Sequence, residues 1–286
     1  MHHLWRRLAA TLSTAMAMAA LTVPAMAQAP KPWQLGMQAA GSPVATAIHS
    51  LDSLVLAIIT FTTVFVAVLL AWVTYRFSAR RNPVASRTSH HTLLEVAWTV
   101  VPVLILVVIA IPSFRLVYFE DRTQSADMTI KVTGHQWYWE YDYGDAAKVD
   151  FNSRYVGDDD LKPGQLRLLD VDNQLVVPAG KNIRILTTSA DVIHSFYIPS
   201  LGVQRYAIPG RTIETWFRVN EPGTYYGECN QICGTNHSQM PISIKAIPDS
   251  EFQAWLVQAK TKFADATPPA VTTTPAVSFA LAQAQR

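Results

Sequence analysis

The sequence predicts a membrane α plus all-β fold, in which a hairpin of two transmembrane helices precedes an all-β domain. Two long charge-free apolar runs predict the helices, and short alternating segments separated by turn residues predict the β domain. Half of the 286 residues are hydrophobic and only 15% are charged, a balance that is skewed for a soluble protein and indicates a membrane component.

The chain begins with the features of a secretory signal peptide. Arg6 and Arg7 precede an apolar stretch from Leu8 to Val23, and Ala25-Met26-Ala27 has the small-x-small cleavage pattern. The alternative, an additional membrane anchor, is disfavoured because the apolar stretch is short and interrupted by Thr and Ser. Residues 1–27 are therefore predicted to be a removed signal peptide.

Two later runs are long enough to cross a hydrocarbon core of about 30 Å. No charged residue occurs from Ser53 to Tyr75 or from Val96 to Phe114. We expect helices over about residues 50–76 and 94–116, within an N-terminal segment and hairpin that spans residues 28–119.

The connection between the two runs is basic, which orients the hairpin. It carries Arg76, Arg80, Arg81 and Arg87, with a single acid, Glu95, at its end. By the positive-inside rule this loop lies in the cytoplasm. The N-terminus and the C-terminal domain then lie on the outer side of the membrane.

Charge is divided unevenly along the chain. Residues 1–119 hold eight Lys or Arg and two acids, a net charge of +6, whereas residues 120–265 hold fourteen bases and nineteen acids, a net charge of −5. The outer domain is therefore acidic although the whole chain carries +2. The basic residues do not form an aromatic-rich surface, so no nucleic-acid partner is expected.

Strand periodicity begins after the second helix. Apolar and aromatic residues alternate at Ile130, Val132, Trp137, Trp139, Tyr141 and Tyr143. Further strands are expected over Leu166–Val171, Gln174–Val177, Ile183–Thr188, Val192–Ile198, Thr212–Val219, Thr224–Tyr226 and Ile242–Ile247. Many are separated by Pro-Gly or Asn/Asp turns, and no helical pattern lies between them. This predicts a sandwich or a Greek-key barrel rather than a parallel α/β fold.

One amphipathic helix is predicted to close the β domain, which spans residues 120–263. Its N-cap would be Asp249 or Ser250. Its apolar face, expected to pack on the barrel, consists of Phe252, Trp255, Leu256, Ala259 and Phe263. Residues 264–286 are rich in Ala, Thr, Pro and Gln with almost no charge, which predicts a disordered tail.

Both cysteines of the chain lie in one short segment with other metal-binding residues. His237 and Met240 follow Cys229 and Cys233, and His194 lies on an earlier predicted strand. A structural disulfide is the simplest alternative in an oxidising compartment, but it gives the His and Met residues no role. Tetrahedral zinc would use both Cys and both His residues, yet it leaves Met240 unexplained.

Thiolate, imidazole and an axial thioether are also the copper ligands of cupredoxins. One copper needs only one Cys and two His residues. Two Cys, two His and one Met fit two coppers bridged by both sulfurs, with Met240 and a backbone carbonyl as weak outer ligands. The favoured prediction is a cupredoxin-like Greek-key β-barrel with a binuclear copper centre, while the disulfide and zinc alternatives stay open.

Four segments resemble those of the cytochrome c oxidase subunit 2 family. They are GHQWYWEYDY at 134–143, LKPGQLRLLDVDN at 161–173, DVIHSFYIPSLG at 191–202 and YYGECNQICGTNHSQMP at 225–241. The resemblance covers roughly residues 45–260, including the hairpin. It implies a subunit of a proton-translocating respiratory oxidase that passes electrons from cytochrome c to the haem-containing subunit 1, where O₂ is reduced to water.

The resemblance also implies roles for single residues. The binuclear CuA centre would be bound by His194, Cys229, Cys233, His237, Met240 and the backbone carbonyl of Gln231. Trp137 would receive the electron from cytochrome c, although the sequence alone favours a sheet-packing aromatic residue. Glu95 would stand at the mouth of a proton-uptake path, or serve as a plain interfacial anchor. The acids expected to dock a basic cytochrome are Glu140, Asp142, Asp145, Asp170 and Asp172.

One position departs from the family pattern. The residue between the cysteines, usually Glu in the family, is Gln231 here. The copper contact uses the main chain and survives this change. A neutral amide is a poorer ligand for the magnesium ion that the family holds at the contact with subunit 1. The resemblance therefore implies copper, whereas magnesium is disfavoured by Gln231.

The partners that the resemblance implies are oxidase subunits 1 and 3, cytochrome c and the lipid bilayer. A quinol oxidase subunit has the same fold without the copper ligands, all of which are present here. A membrane-anchored copper chaperone or redox carrier, and an anchor stabilised by a disulfide, are the alternatives from other functional classes.

Overall fold

The computed structural model describes residues 28–121, 125–144 and 147–264. The predicted signal peptide, Asp145 and residues 265–286 of the predicted tail lie outside these residues. Within them, two long helices precede ten strands and a C-terminal helix. The predicted fold class, a two-helix hairpin followed by an all-β domain, is confirmed.

The two hairpin helices are α1, Pro43–Arg76, and α2, Thr92–Asp121. Helix α1 begins earlier than expected because Ser42 caps it: the Ser42 hydroxyl accepts a hydrogen bond from the Ala45 amide at 2.9 Å, and Pro43 fits the first helical position. With 34 residues, α1 is about 51 Å long and exceeds the membrane core. No residue in the apolar stretch of either helix is buried, and both helices are long and apolar enough to cross a membrane.

The ten strands form two five-stranded sheets. The first has the order β3-β2-β1-β5-β8 and consists of β1 Met128–His135, β2 Tyr138–Asp142, β3 Asp150–Ser153, β5 Asn182–Ser189 and β8 Ile213–Arg218. The second has the order β4-β10-β9-β6-β7 and consists of β4 Leu175–Pro178, β6 His194–Ile198, β7 Val203–Ala207, β9 Gly223–Cys229 and β10 Pro241–Ile247. Neighbouring strands are antiparallel except the parallel pairs β1–β5 and β10–β4.

The structure corrects two of the strand predictions. The alternation from Ile130 to Tyr143 is a hairpin of β1 and β2 rather than one strand, with Gln136 and Trp137 at its turn and a cis peptide bond between them. The segment Leu166–Val171 forms turns instead of a strand, because the buried Asp170 carboxylate accepts a hydrogen bond from the Leu166 amide. Strands β3 and β7 were not predicted, since polar residues interrupt their apolar pattern.

The C-terminal helix α3, Asp249–Lys262, packs on the sheets as predicted. Phe252 and Ala259 are buried, and the rest of its apolar face contacts the core. Phe263 stacks on Phe151 of β3 with ring centroids 4.4 Å apart. The N-cap prediction was wrong: Pro248 occupies that position without a side-chain bond, because Asp249 is already helical.

The β domain is fastened to the adjoining ends of both hairpin helices. Trp216 of β8 donates its indole N–H to the Phe119 carbonyl at 2.9 Å, and Arg205 of β7 pairs with Asp121. At the start of α1, the Ser42 hydroxyl donates to the Leu201 carbonyl at 2.6 Å. The domain and both helix ends therefore lie on the same side of the hairpin.

A buried tyrosine completes the hydrogen bonding of an edge strand. The Tyr143 hydroxyl donates to the Val176 carbonyl of β4 at 2.7 Å and accepts from the Val176 amide at 3.0 Å. These bonds satisfy two backbone groups on the open side of β4. Tyr141 is also buried, but its hydroxyl makes no hydrogen bond to a backbone group among the described residues.

We predict that Tyr143→Phe lowers the stability of the domain by about 1–3 kcal/mol, because it leaves two buried backbone groups unsatisfied. Tyr141→Phe is the matched control and should lower stability less, since the Tyr141 hydroxyl bonds no backbone group among the described residues. Thermal unfolding of the full chain in detergent, followed by near-ultraviolet circular dichroism, measures both. Equal shifts of the unfolding midpoint in the two variants would contradict the stabilising role of the Tyr143 hydroxyl.

Candidate metal centre

The cysteine segment is the loop between the antiparallel neighbours β9 and β10. Cys229 ends β9, and Met240 immediately precedes β10. The Cys229 amide donates to the Met240 carbonyl at 3.0 Å, which closes the loop. Strand β6 pairs with the other side of β9, so His194 at its start reaches the same place. Strand pairing alone therefore brings Cys229, Met240 and His194 together.

Each thiol faces its own imidazole. The Sγ atom of Cys229 lies 3.9 Å from Nδ1 of His194, and that of Cys233 lies 3.6 Å from Nδ1 of His237. The two sulfurs are 3.8 Å apart, and both cysteines are free. The Cys229 sulfur is also 3.3 Å from the Gln231 carbonyl oxygen. The structure therefore has two adjacent thiols and no disulfide between them.

The donor atoms are shielded from solvent. His194, Cys229, Cys233 and Met240 are all buried, with Met240 only 1% exposed. One donor atom from each of His194, Cys229 and Cys233 fits within 4.8 Å of the others, as bound metal requires. Thiolate, thioether and imidazole donors suit copper, so the residues present fit a copper site.

The two thiols differ in acidity. Burial would raise the pKa of Cys229, but hydrogen bonds from His194 and the surrounding backbone outweigh it and lower that pKa. Burial and the neighbouring Cys229 raise the pKa of Cys233. The pair thus releases one proton readily and holds the other, which a metal ion would displace.

Asp191 supports the site from behind His194. One Asp191 carboxylate oxygen lies 2.8 Å from Nε2 of His194, the ring nitrogen that faces away from the thiol. The other accepts the Gln136 amide at 2.6 Å. Burial raises the pKa of Asp191, but these bonds lower it overall, so the carboxylate is ionised at neutral pH. Asp191 was not predicted from the sequence; a carboxylate three residues before a predicted histidine ligand was the available signal.

Trp137 lies beside the metal loop. It is partly buried at the β1–β2 turn, and the preceding residue, Gln136, donates its side-chain amide to the Cys233 carbonyl at 2.7 Å. Glu95 is in the first turn of α2, roughly 39 Å along that helix from Asp121. The structure therefore brings Trp137 to the loop that carries Cys233 and leaves Glu95 at the far end of the hairpin.

The acids expected at a docking surface are in different environments. Glu140 and Asp142 lie on β2, where Glu140 contacts His135 at 2.8 Å and Asp142 pairs in register with Asp150. Asp172 is exposed. Asp170 is only 5% exposed and accepts from the Tyr226 hydroxyl, so it cannot present its charge to a partner. Asp145 lies outside the described residues, and the sequence analysis overlooked Asp150.

Comparison with known families gives one consistent match. Residues 30–116 match the family described as "Cytochrome C oxidase subunit II, transmembrane domain". Residues 128–247 match the family described as "Cytochrome C oxidase subunit II, periplasmic domain". Together these two matches cover both the helical hairpin and the ten strands.

Individual relatives agree with this match. A Rickettsia bellii protein named "Probable cytochrome c oxidase subunit 2" is 48% identical over 238 residues, which are 83% of this chain and 88% of that protein. Cytochrome c oxidase subunit 2 of Cereibacter sphaeroides is 40% identical over 249 residues, which cover 81% of this chain and 82% of that protein. The solved periplasmic domain of subunit II of Bradyrhizobium japonicum cytochrome oxidase is 48% identical, with a TM-score of 0.47, and covers 50% of this chain and 99% of that domain.

We predict that Asp191→Asn weakens copper binding by about 10- to 100-fold, the usual effect of losing a partner that orients a metal-bound histidine. A single amide oxygen cannot replace the carboxylate toward both His194 and Gln136. Competition with a chelator of known copper affinity measures the change. Asp142→Asn, which removes the same charge without touching a ligand, is the control. Equal affinity in both variants would show that Asp191 does not support the site.

Proposed function

The chain belongs to the cytochrome c oxidase subunit II family, and we propose that its β domain receives electrons from cytochrome c at a binuclear copper centre. As a member of this family it is a subunit of an oxidoreductase whose O₂-reducing site lies in another subunit. The observation that carries the proposal is the pair of free thiols, 3.8 Å apart, each facing its own imidazole.

The proposed ligands use every soft donor of the cluster. Both cysteines would bridge two coppers, and each copper would take one imidazole; Met240 and the Gln231 carbonyl are the weak outer ligands. When bound, a copper pair bridged by two sulfurs shares one electron, which keeps the change of geometry on reduction small. The chain supplies four buried donor side chains, those of His194, Cys229, Cys233 and Met240, and a Cys229 thiol whose pKa is lowered, which favours its deprotonation.

We propose that Trp137 receives the electron from the cytochrome. Three observations support this role: its indole is partly exposed, it lies at the β1–β2 turn, and its neighbour Gln136 contacts the Cys233 carbonyl. The electron would leave the reduced haem of the cytochrome and reduce the copper pair, so that no bond is formed or broken.

The docking surface we propose consists of Glu140, Asp142, Asp150 and Asp172. Burial and the nearby charges of Glu140 and Asp142 raise the pKa of Asp150 to about 6, so these acids lie close enough to repel one another. A basic cytochrome would relieve that repulsion. Asp170 is left out because its carboxylate is buried, and the role of Asp145 stays a proposal from the sequence.

The remaining proposals concern the membrane and the partner subunits. We propose that the β domain lies in the periplasm, outside a bacterial inner membrane, and that Glu95 lies on the cytoplasmic side at a proton-uptake path. The basic loop after α1 supports this orientation. Subunits 1 and 3 would cover the exposed apolar hairpin. Gln231 lowers the expected affinity for magnesium at the contact with subunit 1.

We predict two coppers per chain, with the unpaired electron of the oxidised centre shared between two equivalent nuclei in the EPR spectrum. Cys229→Ser or Cys233→Ser should abolish that sharing, because each removes one of the two bridging sulfurs. Metal analysis and EPR of the purified full-length chain decide the matter. One copper per chain, or zinc alone, would exclude a binuclear centre.

We also predict that the association rate with a basic cytochrome falls steeply as salt increases, because exposed charges are screened beyond about 8 Å at physiological ionic strength. Neutralising Asp142 and Asp172 together should flatten this dependence. As a control, neutralising Asp249 and Glu251 on α3 removes the same amount of charge outside the proposed docking surface. This change should leave most of the salt dependence of the association rate. Stopped-flow measurements of the assembled oxidase test this; a salt-independent parent rate would count against electrostatic docking.

A further inference from the structure

Gly234 directly follows the ligand Cys233 and lies against Trp137. Its φ of +126° is a conformation that other residues rarely adopt. An added Cβ would lie 2.9 Å from Cζ2 and 3.3 Å from Nε1 of the Trp137 indole, and 3.0 Å from Nε2 of Gln136. Contacts this short are repulsive, so the indole approaches the metal loop only because Gly234 has no side chain.

A hydrogen bond made by Gln136 also holds the β1–β2 turn close to the metal loop. Gln136, next to Trp137 in the chain, donates its side-chain amide to the Cys233 carbonyl at 2.7 Å. The indole N–H of Trp137 is buried and has no hydrogen-bond partner among the described residues. No polar contact of the ring therefore holds it in place, and its position depends on the packing against Gly234 and on the bond made by Gln136.

We propose that Gly234 and Gln136 are positioning residues that set the separation between Trp137 and the copper ligand Cys233, and so the rate at which electrons reach the copper centre. This inference rests on the proposed function. Electron transfer through protein weakens steeply with distance, so a small outward displacement of the indole should slow it. The metal loop itself cannot yield easily, since the Gly234 carbonyl accepts from the His237 amide at 3.2 Å and both flanking ligands would be held by metal.

The simpler explanation is that Gly234 only permits a tight turn. Gly180 provides the comparison, because its φ is also positive, +78°, but an added Cβ there would meet nothing within 4 Å. Alanine at Gly180 therefore brings backbone strain without crowding. Alanine at Gly234 brings strain and crowding together.

The experiment compares Trp137→Phe, Gly234→Ala, Gln136→Leu and Gly180→Ala in the assembled oxidase. Rapid mixing with saturating reduced cytochrome c gives the electron-transfer rate, and titration gives the KM for the cytochrome. Copper content and the EPR signal are measured on the same samples. Reduction by dithionite, a small reductant that does not need the indole, serves as an internal control.

We expect Gly234→Ala to slow electron transfer from the cytochrome several-fold, because the added Cβ would push the indole away from the metal loop and the transfer rate falls with distance. The KM, the copper signal and the dithionite rate should stay at parent values, because the docking acids and metal donors are unchanged. Gly180→Ala should match the parent throughout. In reduced oxidase labelled with 5-fluorotryptophan, the ¹⁹F resonance lost in Trp137→Phe should shift in Gly234→Ala and stay in place in Gly180→Ala.

The outcomes separate this inference from the function on which it rests. A parent rate in Trp137→Phe would overturn the proposed role of Trp137 itself. A slow Trp137→Phe with a parent rate in Gly234→Ala, copper intact, would overturn only the positioning role. If Gly234→Ala loses copper, Gln136→Leu decides: slow transfer with an intact copper signal supports the positioning role, and a parent rate refutes it.

Discussion

The metal centre depends on one constraint, the simultaneous pairing of β9 with β6 and β10. Strand β9 carries Cys229 at its end, β6 begins with His194, and β10 follows Met240. The pairing is close: an added Cβ on Gly227 of β9 would lie 2.0 Å from the Tyr197 carbonyl oxygen of β6. Because backbone hydrogen bonds fix both neighbours, the loop that carries Cys233 and His237 closes between rigid ends.

Hydrogen bonds also link the metal loop to the sheet that contains β1 and β2. Asp191 binds His194 of the metal cluster and the Gln136 amide at the turn between β1 and β2. Gln136 in turn binds the Cys233 carbonyl. The turn that carries Trp137 is therefore bound to both halves of the ligand set, and the two sheets meet at the site through hydrogen bonds as well as core packing. These hydrogen bonds restrict movement of the turn relative to the metal loop.

The sequence was most informative where the chemistry is local. Cys229, Cys233, His237 and Met240 lie in twelve consecutive positions, and two charge-free runs are enough to recognise a hairpin. Prediction failed where a distant contact decides the structure. Leu166–Val171 alternates like a strand, but burial of Asp170 against Tyr226 turns it into a loop. The β1–β2 turn was missed because Gln136 and Trp137 are not turn-forming residues, and Asp150 was overlooked because only the pairing of β2 with β3 places it beside Asp142.

Two glycines show a kind of information that composition and periodicity do not carry. An added Cβ on Gly134 would lie 2.7 Å from the His194 ring, as one on Gly234 would lie 2.9 Å from Trp137. Neither position is explained by a turn alone, since Gly134 is within β1 with an ordinary strand conformation. A glycine inside a strand weakens it and is retained where another group must approach the backbone closely. In this domain the groups that approach are the His194 ring of the candidate metal cluster and the indole of Trp137, so the missing side chains help to shape the site.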